Sequence, residues 1–174
     1  MTILRALFAA NLAIVLTAPG ARAQFEPPKP GPEHAYLKRM EGNWDTTMKM
    51  AGLESKGTAV FKFDLGGLWL ASTFDGSGMG QKFTGRGYDT YDAAKKKFVS
   101  IWLDSMSTTP MLMEGTYDEA KKTLTMIGDA PGMDGKMTKH KAVSTMPDDN
   151  TINFAMYMGD VKEPAFTIVY KRKK

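Results

Sequence analysis

The chain carries 14 methionines and no cysteine, and three methionine pairs are spaced two residues apart: Met48 and Met50, Met111 and Met113, Met156 and Met158. Side chains alternate along an extended strand, so each pair shares one strand face. Thioethers gathered in this way serve one of three ends. They fill an irregular core, they line a pocket that adapts to apolar molecules of different shape, or they converge on a soft ion such as Cu(I). Spacing alone does not choose among these.

Other residues of chemical interest are few. His34 and His140 have no second histidine or carboxylate at zinc-site spacing, so each reads as a surface or structural histidine, and neither a metal ligand nor a cofactor is assigned. Asp104 and Ser105, followed by Ser107, Thr108 and Thr109, offer hydroxyls. Nucleophilic catalysis also needs a base and an oxyanion donor arrangement, and no Gly-x-Ser-x-Gly turn is present. The Asp-Ser pair reads as a turn before Pro110, and no catalytic residue is assigned.

Arg86 and Glu114 are charges inside segments otherwise built of small or apolar residues, and charges are seldom buried without partners. Facing inward, Arg86 would offer a bidentate donor to a ligand carboxylate; facing outward, it is a solvated charge. Trp69 and Trp102 add rigid aromatic surface. Trp102 shares a face with Phe98 and Ser100, while Val99, Ile101 and Leu103 take the other, and periodicity leaves open which of the two is inside.

The elements that must position these residues are mostly strands. From Glu33 to Met40 a short helical pattern runs into Gly42, and after it the period changes from about 3.6 to 2. Segments of alternating character follow at Trp44 to Met50, Gly57 to Asp64, Gly67 to Phe74, Gln81 to Tyr88, Lys97 to Asp104, Met111 to Tyr117, Thr123 to Gly128, Lys136 to Met146, Thr151 to Met158 and Ala165 to Lys171. Separators such as Asp64 to Gly67, Asp89 to Lys96 and Asp129 to Gly135 are rich in turn formers. About ten consecutive strands joined by short loops make an antiparallel meander, which avoids exposed edges most simply by closing on itself. The expected fold is all-β, an up-and-down barrel of about ten strands with a short N-terminal helix.

Ahead of this domain, Met1 to Ala23 reads as a secretory signal peptide: Arg5, an apolar run from Ala6 to Ala18, then Pro19-Gly20 and the small-residue site Ala21-Arg22-Ala23. The run falls short of the ~20 residues that span a bilayer, so no stable membrane anchor is expected. Cleavage before Gln24 predicts a periplasmic or secreted protein, with residues 24–32 a Pro-rich linker and 33–174 the barrel. Loss of Arg5 and Arg22 lowers the formal charge from +4 to +2. The longest basic run, Lys171 to Lys174, is terminal, and no nucleic-acid motif accompanies it. Without cysteine there is no lipoprotein anchor, disulfide framework or thiolate site.

Leu37-x-x-Met40-x-Gly42-Asn43-Trp44, Gly85-Arg86-Gly87-Tyr88-Asp89 and Ile101-Trp102-Leu103-Asp104-Ser105 together resemble the bacterial domain of unknown function 1579, which is similar to the lipocalin-like, or calycin, barrels. The resemblance covers roughly Glu33 to Lys171. It implies that Trp44 plugs one barrel end, and it implies no activity. The expected function is an exported binding protein for a small apolar or amphipathic molecule, with Trp44, Trp69, Trp102, Met113 and Met156 as apolar contacts and Arg86 as polar anchor. Copper binding through the methionine pairs, and a filled barrel acting as an interaction or structural protein, are the alternatives.

Overall fold

The structure, a computed structural model, describes residues 26–78, 80–132 and 134–174; the segment read as a signal peptide lies outside them. Helix α1 (His34–Met40) precedes strands β1 (Gly42–Met50), β2 (Leu53–Asp64), β3 (Trp69–Gly78), β4 (Gln81–Asp92), β5 (Lys97–Asp104), β6 (Met111–Asp118), β7 (Thr123–Pro131), β8 (Met137–Asp148), β9 (Thr151–Met158) and β10 (Phe166–Arg172). Each strand pairs antiparallel with its neighbours in sequence, and β10 returns to pair with β1, which closes the barrel.

Local chemistry explains the tight connections. Ala51 and Gly52, at φ 50° and 79°, join β1 to β2 by a two-residue turn whose twist matches the flanking strands. Met50 therefore pairs directly with Leu53, and β2 begins four residues before the expected Gly57. A similar extension carries β4 through Asp89 to Asp92, where the sequence reads as a turn.

The helix closes one end. Tyr36 and Leu37 are buried beneath it, and Trp44, fully enclosed, donates from its indole nitrogen to the Met40 carbonyl at 2.8 Å. Removing such a side chain costs about 3–5 kcal/mol. Histidine chemistry anchors the start of α1. The Gly31 amide donates to Nδ1 of His34 at 3.1 Å, so the ring proton sits on Nε2, which donates to the Leu68 carbonyl at 3.1 Å. His34 is buried and structural.

From this plug a continuous apolar cluster rises along the inner wall through Phe61, Leu70, Phe98, Leu124, Met146 and Ile152. The helix end of the barrel is filled. The opposite end is different.

Candidate functional site

Alternation in each strand fixes the inner face once one buried residue is known. In β4 the inward residues are Phe83, Gly85, Gly87, Asp89 and Tyr91; in β5 they are Phe98, Ser100, Trp102 and Asp104. Across this pair Gly87 stands opposite Trp102. A Cβ added at Gly85 would lie 2.1 Å from Trp102 Cζ2, and one at Gly87 3.2 Å from its Cε3. The two glycines thus create the shelf on which the indole lies flat, and its nitrogen donates to Asp104 at 2.9 Å. Phe83 stacks beyond it, 6.5 Å away at 18° between ring planes.

At the end away from α1, Met48, Phe83, Trp102, Met111, Phe154, Met158 and Phe166 pack against the core yet stay only partly buried. Phe154 and Phe166 lie 6.0 Å apart. These side chains come from six different strands and turn to one end of the barrel, where they form a partly exposed apolar rim instead of a sealed second plug.

Deeper in, the wall is lined by small and polar side chains: Thr46, Ala59, Ser72, Asp89, Ser100 and Ser144. Asp89, Ser100, Ser144, Phe154 and Tyr170 all face inward and all retain accessible surface, so the lumen is not packed solid at their depth. Burial pushes the Asp89 carboxyl from 3.8 up to about 6, against a smaller opposing effect of a hydrogen bond from Ser100, its partner across the β4–β5 ladder. No basic side chain among the described residues offsets that burial. Burial likewise raises the Tyr170 hydroxyl, to which the Asp89 charge adds. It raises Tyr36 too, with Tyr117 and Asp89 adding. The carboxyl and two phenols therefore share one poorly solvated interior. Three buried polar atoms there have no hydrogen-bond partner: Tyr36 Oη, Thr46 Oγ1 and His140 Nε2.

Of the residues expected to bind a ligand, Trp102, Met113 and Met156 face the lumen. Trp44 also faces inward but is sealed under α1 and works as the plug. Trp69 and Arg86 stand on the outer face. Trp69 precedes the fully buried Leu70, and Arg86 lies exposed between two inward glycines, its guanidinium donating to the Gly85 carbonyl at 2.6 Å. Neither reaches the interior, because strand parity fixes both outside. Glu114 points outward as well, paired with Lys95 and, at 3.4 Å, Lys97; these cations lower its pKa.

Asp104 and Ser105 form the turn read from their types. Asp104 accepts the Met106 amide at 2.8 Å, and Ser105 caps the end of β4 by accepting the Thr84 amide at 3.1 Å. His140 is not at the surface but 1% exposed. Asp89, an interior carboxyl with no cation beside it among the described residues, is absent from the sequence reading, and its parity with Gly87 opposite Trp102 shows only once the β4–β5 register is known.

A concavity of about 530 Å³ opens where α1 meets the ends of β4 to β6. Its walls include Tyr36, Phe98 and Tyr117, which pack on one another at 5.9 Å and 4.4 Å between ring centres. It is the outer side of the plug.

A family model described as a protein of unknown function, DUF1579, matches residues 29–172. The chain belongs to that family. No curated protein matches this DUF1579 sequence. Among solved structures, Rv2717c from M. tuberculosis is similar at 16% identity and a TM-score of 0.60, over 84% of this chain and 100% of that one. A redesigned β-barrel is similar at 16% identity and a TM-score of 0.45, over 80% and 96%. The likeness to Rv2717c shows that the DUF1579 chain shares its fold.

Proposed function

We propose that this is an exported protein whose barrel holds a small amphipathic molecule, apolar body at the mouth and hydrogen-bond-donating or cationic head toward Asp89. The observation that carries the reading is the ring of half-buried apolar side chains from six strands around one barrel end. Soluble proteins rarely leave such a surface open without a partner, and thioethers and aromatics adapt to varied apolar shapes. Asp89 supplies polarity in the interior, since an enclosed carboxylate without a cation favours a donor or a positive charge. Export rests on the Met1 to Ala23 pattern.

The test is a pair of fluorescent probes with equal alkyl chains, one ending in an amine and one in a carboxylate. The amine probe binds more tightly. Trp102→Ala and Met156→Ala each weaken it by about tenfold or more, in line with ~1.4 kcal/mol or more of lost contact, whereas Arg86→Ala leaves it within about twofold. If neither probe binds, and an organic extract of the purified protein releases no small molecule, the barrel is not a container. Export is checked separately, by finding a mature chain that starts at Gln24 outside the cytoplasm.

A further inference from the structure

His140 sits on β8 with its ring sealed from solvent, 1% exposed. Its Nδ1 lies 3.0 Å from the Thr138 carbonyl oxygen, which only accepts, so Nδ1 carries the proton and donates. The neutral ring then leaves a bare lone pair on Nε2, and that atom has no hydrogen-bond partner. A buried acceptor without a partner destabilises the fold unless something binds it. An imidazole fixed through Nδ1 to a backbone carbonyl, with Nε2 free, has the orientation that metal-binding histidines adopt.

On the inner face, the strands near His140 carry thioethers. Met158 on β9 is the direct register partner of His140, and facing Cβ atoms in such pairs stand about 5 Å apart. On the other side, the register partner is Gly128 of β7. A Cβ there would fall 2.0 Å from the Leu112 carbonyl oxygen and 3.1 Å from Met113 Cγ, so β6 and the Met113 side chain close over this glycine, which itself stands one strand spacing of ~5 Å from the histidine. Among the described residues no three His, Cys, Asp or Glu side chains gather, so the hard oxygen-rich ligand set of Ca, Mg or Mn is missing here, and the donors at hand are one imidazole and two soft sulfurs. Such a set selects Cu(I) over Zn(II).

We infer that His140 Nε2 with the thioethers of Met113 and Met158 forms a binding site for Cu(I) in the barrel wall. Coordination needs no redox step: an imidazole nitrogen and two thioethers bind Cu(I) as lone-pair donors. The site uses atoms distinct from Asp89 and does not depend on an organic ligand being present.

The experiment is an anaerobic titration of the mature chain with Cu(I) against a chromophoric Cu(I) chelator. One ion binds per chain, X-ray absorption reports one nitrogen and two sulfur neighbours, and Zn(II) in excess does not displace it. Met113→Leu and Met158→Leu each weaken binding about tenfold, and the double variant abolishes it. Met48→Leu, on β1, leaves binding unchanged. Leucine conserves methionine's volume, so these variants keep the fold even if His140→Gln does not. Loss of all Cu(I) to the chelator, retention by the double variant, or equal binding of Zn(II) overturns the site. Failure here with the alkylamine probe still bound removes only the copper site; failure of the probe with Cu(I) retained removes only the lumen reading.

Discussion

The guanidinium of Arg172 lies 4.2 Å from the ring centre of Trp44, and the two residues are register partners in the β1–β10 seam. Arg172 also donates to the carbonyls of Glu41 and Arg39, each at 2.6 Å, and to that of Asp149 at 2.7 Å. One side chain thus ties the end of α1, the plug and the β8–β9 turn to the last strand. Arg172→Ala leaves three carbonyls short of a charged donor and uncovers the indole, so a loss of about 3 kcal/mol is expected in urea unfolding. Arg172→Lys recovers under half of it, because an ammonium cannot reproduce the planar fork.

Gly85→Ala tests the shelf beneath Trp102. The new methyl would fall 2.1 Å from the indole, so the ring must leave its place over the sheet. Destabilisation of about 1–3 kcal/mol is expected, with a change in tryptophan emission. In a Trp102→Ala background the same substitution costs much less, a coupling that a double-mutant cycle measures.

Asp89 sets a pH dependence of known sign. Its carboxyl titrates at about 6 in the folded chain, above the usual 3.8, so the folded state holds a proton that the unfolded chain has released. Its contribution to stability is full below about pH 4 and is lost as pH rises through about 6. Asp89→Asn removes this slope. The variant gains on the wild type between pH 4 and 7 by on the order of 2–3 kcal/mol, which chemical melts at a series of pH values would show. A wild type and variant with parallel profiles would refute it.

Tyr36→Phe deletes a buried hydroxyl that has no hydrogen-bond partner. Its apolar packing against Phe98 and Tyr117 survives, so stability is unchanged or rises by about 1 kcal/mol. A loss above about 1 kcal/mol in thermal melts would mean that the hydroxyl is satisfied.

The strands were legible because a two-residue rhythm survives wherever one face is wet, as in Thr151 to Met158. The same rhythm is symmetric, and that is why the sense of each strand was hidden. Arg86 and Met113 both sit in alternating segments, yet only the second faces inward. The pairing of Gly87 with Trp102 across two strands is what settles β4 and β5, and it becomes visible only once register is known. Asp89 was masked by its own type, since aspartate so often begins a turn and here occupies the interior of an extended strand. His140 was read from what it lacked in sequence neighbours, whereas its surroundings come from β6 and β9.

The β1–β10 seam joins the two extremities of the domain, from Trp44 with Arg172 to Met50 with Phe166. A nascent chain therefore cannot complete its wall until β10 has been made, and before that moment the strands at the seam offer unpaired edges. Truncation before β10 would remove Arg172 together with every rung of the seam, leaving a curled ribbon prone to pairing with other copies where the closed barrel forms a cylinder.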